Sequence, residues 1–177
     1  MRRRLRTEIR DLTSDEWEQV VHALWIMKQT PTKLGRQKYG SLYSSYDRMI
    51  LKHVRAALYS KGDQAHFTVI FPIFHRLWLL QFENALLSVD PGIQGLPYFD
   101  FKREEGPYAS AFSDQYLGDI SGDPNNFYIV TNGPFAYWPV SKIKEIRENT
   151  WKFPGNITTQ RYKYISTVLF LLTYYVP

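Results

Sequence analysis

Two histidines flank a proline inside one aromatic and aliphatic run, His66-Phe67-Thr68-Val69-Ile70-Phe71-Pro72-Ile73-Phe74-His75-Arg76, and Glu83 lies eight residues after the second histidine. This run restricts the fold more than any other part of the chain. In a single continuous helix, the nine residues from His66 to His75 would turn the two rings to opposite sides and separate them by roughly 13 Å along the axis. Rings so placed cannot share an ion, because metal–imidazole bonds are about 2.0 Å long. Pro72 resolves the conflict. Proline is favoured in the first turn of a helix and disruptive inside one. The spacing therefore predicts a helix that starts at Pro72 and carries His75, with His66 in the preceding loop, free to fold back over the helix start.

From there His75, Trp78, Leu79, Phe82 and Leu86 fall at offsets 0, 3, 4, 7 and 11, a single helical stripe. Asp90-Pro91-Gly92 ends it. The same offsets recur in Tyr46, Met49, Ile50, His53 and Ala57, on a helix predicted from about Leu42 to Tyr59 and stopped by Lys61-Gly62-Asp63. His53 thus faces the core, and it is the one histidine on the inward face of another helix. Two helices and a loop offer three imidazoles, His53, His66 and His75, as ligands to one metal ion. Neutral imidazole suits copper, zinc and iron, and the apolar neighbours Phe71 and Phe74 belong to the core or wall such a site. Glu83, at the edge of the stripe, is set to orient a ring or to pair with Arg76 rather than to bind metal. His22 lies off the apolar series of its own helix and reads as an ordinary, partly exposed residue. A zinc hydrolase is disfavoured, since the chain has no H-E-x-x-H.

Elsewhere, Thr13 and Glu16 have the spacing of a capping box ahead of Trp17, Val20, Val21 and Leu24, which predicts a helix over 14–28 that ends before Pro31. Pro31 to Gly40 reads as a polar loop. After Pro91 the chain turns aromatic and rich in turn residues, with no clean period of 2 or 3.6. A short helix is expected over Ser141–Asn149, then a buried apolar segment. The fold class is mainly α with long aromatic and Pro-rich loops.

At 177 residues with 44% hydrophobic and 16% aromatic content, the chain has the material for a single domain with a real core. It has no cysteine, so disulfides and thiolate ligands are excluded. The net charge is +5, but only Arg2-Arg3-Arg4-Leu5-Arg6 forms a basic cluster, and no nucleic-acid partner is expected. Residues 1–13 form a basic lead with no apolar signal-peptide core. The compartment stays open, secretion following if the true N-terminus lies upstream. The run Ile165–Val176 is too short for a membrane span, which takes roughly 20 apolar residues, so no membrane partner is expected.

The run at 66–83 also resembles a family signature. It matches, position for position, the first-copper motif of tyrosinases and their polyphenol oxidase relatives, H-x4-F-x-x-[F/W]-H-R-x2-[aliphatic]-x3-E, with Leu79 at the aliphatic place. Similarity continues in Glu83-Asn84-Ala85-Leu86, in Leu96-Pro97-Tyr98-Phe99-Asp100-Phe101 (phenylalanines where the family has tryptophans), in Gly133-Pro134-Phe135, and in Arg10-Asp11-Leu12 with Glu16-Trp17. The resemblance implies a type 3 copper four-helix bundle in which two coppers, each held by three histidines, use dioxygen to oxidise phenols or catechols. It assigns His53, His66 and His75 to the first copper, and residues 14–150 to the N-terminal part of the copper domain with two of its bundle helices. Lacking cysteine, the chain cannot make the cysteine–histidine thioether that many relatives carry. Asp123-Pro124-Asn125-Asn126-Phe127 is similar to a stretch that precedes second-site histidines, yet no histidine follows His75. Without the second helix pair, apolar faces of the first pair should lie uncovered. The expectation is a first-copper half, cut short by a truncated gene model ending in a divergent tail over 151–177, in preference to a degenerate relative. A phenolic molecule and dioxygen would be partners of the complete protein. The alternative is a copper-binding but inactive scaffold, or a haemocyanin-like dioxygen binder.

Overall fold

The computed structural model describes residues 4–57, 59, 63–66, 69–104 and 109–139. The expected helix over Ser141–Asn149 and the apolar tail lie outside the described residues. Among the described residues four α-helices form: α1 (Ser14–Gln29), α2 (Thr32–Tyr39), α3 (Tyr46–Ala57) and α4 (Phe71–Val89). Short 3-10 turns and two isolated bridges complete the regular structure, and no strand forms among the described residues. The mainly helical class expected from the apolar periodicity is thus the class observed. No described helix is long and apolar enough to cross a membrane.

The first compact unit includes residues 14–96, and in it α1, α3 and α4 touch one another pairwise. Each buries one stripe. Helix α1 buries Trp17, Val20, Ala23, Leu24 and Met27. Helix α3 buries Tyr46 and Met49, with Ile50, His53 and Ala57 half-buried along the same line. Helix α4 buries His75, Trp78, Leu79, Phe82 and Leu86, the five residues of the sequence stripe, together with Glu83 and Ala85. Pro72 sits in its first turn, where a missing N–H costs no hydrogen bond. The outward row of α4 is apolar too: Ile73, Leu77 and Leu80 are 69%, 55% and 44% exposed. These three residues form an exposed apolar row of the kind expected of a partial bundle.

Two expectations needed correction. Residues 31–40 are not a loop, for Thr32–Tyr39 is helical. Pro31 is extended and its carbonyl accepts the Gly35 N–H at 2.9 Å, while Gly40, at φ 93°, closes the helix with its N–H on the Arg36 carbonyl. The sequence hides this helix because packing by Tyr43 holds it rather than an apolar stripe. The Tyr43 hydroxyl donates to the Thr30 carbonyl at 2.8 Å, the Arg36 Nε donates to the Tyr43 carbonyl, and the ring fills the space beside Gly35. Helix α3, in turn, begins at Tyr46 rather than near Leu42. Ser45 is engaged with Thr32, its N–H donating to Thr32 Oγ1 at 3.0 Å, and its own hydroxyl accepts the Arg48 N–H. That is helix-capping chemistry, which fixes the first turn one residue later.

The second unit, whose described residues are 6–13, 97–104 and 109–139, contains a cluster of polar contacts. Glu8 is buried and accepts from the Arg10 N–H and Nε and the Asp100 N–H, with Arg103 also on its carboxylate. The Arg10 guanidinium lies 4.8 Å from the Phe99 ring centroid. The buried Glu8 carboxylate thus ties the segment at 8–10 to the segment at 100–103.

A substitution at Gly35 tests the account of α2. Alanine is the better helix former by about 1 kcal/mol, but a Cβ there would stand 1.9 Å from Cε1 of the buried Tyr43 ring. Overpacking of this kind costs about 1–3 kcal/mol. Gly35→Ala is therefore expected to lower stability in urea denaturation, and a stabilised variant would contradict the packing described.

Candidate metal centre

The site is built from the contact of α3 with α4. The Trp78 indole N–H on α4 donates to the Met49 carbonyl of α3 at 2.9 Å. Met49 lies one turn before His53 and Trp78 one turn after His75, so this bond and the stripes around it set the two histidines opposite each other. The short segment at 63–66 then carries His66 back over the start of α4, as Pro72 predicted. The three rings converge, with centroids 5.0 Å apart for His53–His66, 5.4 Å for His53–His75 and 5.6 Å for His66–His75.

One nitrogen from each ring lies within 4.8 Å of the other two. Ligands to one ion at about 2.0 Å cannot be farther apart than about 4 Å, so the observed spread must close by about 1 Å for all three to share an ion. Three imidazole nitrogen donors with no carboxylate among them form a set suited to copper and zinc rather than to calcium or magnesium. Among the described residues this is the one cluster of its kind. His22, the remaining histidine of the chain, is exposed on α1 and is not part of the cluster.

The surroundings select which nitrogen faces the centre. His75 Nδ1 donates to the Phe71 carbonyl at 3.0 Å, since a carbonyl can only accept. His66 Nδ1 lies 3.0 Å from Asp63 Oδ2. Nε2 is then the ligand atom of each. Phe71 and Phe74 wall the site, their ring centroids 4.4 and 5.2 Å from that of His75, and Trp78 lies 5.5 Å from His53. Burial in this apolar setting, reinforced by the neighbouring His66 and His75, pushes the His53 imidazole down to about 4. Burial likewise lowers His75, against the opposing bond to the Phe71 carbonyl. Both therefore stay neutral, the form that binds metal.

Two features escaped the sequence reading. Glu83 pairs not with Arg76 but with Arg4, whose Nη1 lies 3.1 Å from Oε1, while Oε2 accepts the Leu96 N–H at 3.1 Å. Glu83 is buried and Arg76 exposed, so partner choice followed the tertiary fold and not helical proximity. Asp63, read as part of a helix stop, contacts both backbone and ring of His66. Its spacing of three residues from the histidine was the available signal, since an aspartate so placed bonds amides two and three residues on.

Comparison with known proteins bears on the same residues. The model of the common central domain of tyrosinase matches residues 43–169, a span that takes in all three histidines. The tyrosinase of Streptomyces lincolnensis is 35% identical over 135 residues, covering 73% of this chain and 44% of that protein. Grixazone synthase of Streptomyces griseus is 29% identical over 147 residues (80% and 40%), and the tyrosinase of Aspergillus oryzae is 26% identical over 164 residues (90% and 29%). The chain spans less than half the length of these relatives. It belongs to the tyrosinase family, whose metal is copper, and its three converging histidines could form a copper site.

Proposed function

We propose that this chain provides the first copper site of a phenol-oxidising copper protein, with His53, His66 and His75 as the ligands. The observation that carries the reading is the meeting of three imidazoles, from two packed helices and the segment between them, in an aromatic pocket. Copper bound there would supply electron exchange with dioxygen in the oxidation of a phenolic substrate. The chain's own residues hold His53 and His75 in their neutral form and pack Phe71, Phe74 and Trp78 against the rings. Residues 14–150 then correspond to the N-terminal part of the copper domain, and the family match runs on into the segment 151–177 as far as residue 169.

A second reading is a copper-binding scaffold, or a dioxygen binder without turnover. The histidine count favours it for this chain acting alone. Chemistry shared between two coppers needs a pair of metals about 4 Å apart, and three ligands for each would take six histidines where the chain has four. The two readings part on whether a second histidine triple is supplied by other residues of a longer protein.

Two measurements bear on the site. Titration with copper is expected to saturate at one ion per chain, with His75→Ala abolishing tight binding and no oxidation of catechol by the chain alone. Binding of two coppers, or catechol turnover, would contradict the half-site reading. A matched circular dichroism melt shows whether the variant is folded.

The acid behaviour of the metal-free protein follows from the low value of His53. Its folded pKa of about 4 lies below the unfolded value of about 6.5, so protonation favours the unfolded chain. The stability due to His53 is fully present above about pH 6.5 and is lost as pH falls toward 4. His53→Gln, which cannot titrate, should flatten the fall in melting temperature over that window. An unchanged slope would show that His53 is not held neutral.

A further inference from the structure

We propose that Asp63 is a positioning residue for the copper site: it holds His66 in the tautomer with its proton on Nδ1, so that Nε2 offers its lone pair to the metal. The inference rests on the copper reading above and deepens it, by naming what fixes the one ligand that no helix carries. His53 and His75 take their direction from α3 and α4. His66 lies outside both, and a loop histidine is free to turn its ring and to choose either tautomer unless something prevents it.

Asp63 makes three contacts that do so. Oδ1 accepts the N–H groups of Ala65 and His66, both at 2.8 Å, which closes a tight turn and fixes the backbone from which the ring projects. Oδ2 lies 3.0 Å from His66 Nδ1 and fixes the ring itself. An ionised carboxylate can only accept, so Nδ1 must carry the hydrogen. The pair is partly sheltered, with the two side chains 21% and 25% exposed for His66 and Asp63. A carboxylate on the far nitrogen of a ligand histidine also raises the basicity of the near one. His75 meets the same requirement through the Phe71 carbonyl. Two ligands thus reach the same tautomer by different means, one through the turn of its own helix and the other through a side chain.

Asp63→Asn separates this role from a merely structural one. Asparagine keeps an oxygen for the Ala65 and His66 amides and so preserves the turn. Its NH2 group then faces His66 Nδ1, which must become an acceptor, and the hydrogen moves to Nε2, the atom needed by the metal. Nitrogen-15 NMR of the metal-free wild type should show His66 protonated on Nδ1, and Asp63→Asn should shift it toward the Nε2–H form. Titration with Cu(II) should show binding weakened about 10- to 100-fold in Asp63→Asn, with the melting temperature of the metal-free variant little changed. Asp63→Glu, which restores a carboxylate, should recover part of the affinity. The proposal is overturned if wild-type His66 carries its proton on Nε2, or if Asp63→Asn binds Cu(II) as tightly as wild type. A wild type that binds Cu(II) beside an unaffected variant sinks the role of Asp63 alone. A wild type that binds no Cu(II) sinks the copper reading and this inference with it.

Discussion

The contact between α3 and α4 is the constraint on which the candidate site depends. Each helix carries one histidine on its buried stripe, so neither can reach a common centre unless the stripes pack in one register. The Trp78–Met49 hydrogen bond fixes that register at the level of the site. A slip of one helical turn, about 5.4 Å, would separate the His53 and His75 rings beyond any shared ion. Because the bond lies between an indole and a main-chain carbonyl, it holds position without adding a charged group to the apolar interior.

Around this contact the molecule separates polar work from apolar work. Aromatic rings pack on the imidazoles, and burial among them keeps His53 and His75 neutral, while the buried carboxylates hold the architecture. Glu83 binds the chain start through Arg4 and the end of the helical unit through the Leu96 amide. Glu8 organises the second unit through Arg10 and Arg103. A buried carboxylate is tolerated only where such partners satisfy it. The low affinity of His53 for protons has the same origin as the site's fitness for a metal, since the removal of water disfavours the imidazolium and leaves the lone pair available.

What could be read in the sequence was what periodicity and proline placement encode. The stripes of α3 and α4 came through because their burial follows the 3.6-residue repeat, and Pro72 separated His66 from His75 because proline has one comfortable place in a helix. Tertiary partners could not be read. Helix α2 was missed because it rests on Tyr43, beyond its own end, and offers only the half-exposed Leu34 as a local apolar sign. Arg4 lies 79 residues from Glu83, a separation over which no local rule applies. Asp63 was passed over because aspartate beside glycine signals a turn, and its bond to the His66 ring is visible only when the loop is folded.

The most direct test of convergence is X-ray absorption at the copper edge of the chain loaded with one equivalent of copper. The account predicts three imidazole nitrogens at about 2.0 Å around a single ion, with the multiple scattering of histidine rings, and loss of one ring from the shell in His53→Gln. A shell with one imidazole or none, filled by oxygen donors, would contradict it, for then the three rings are neighbours without being ligands to a common metal.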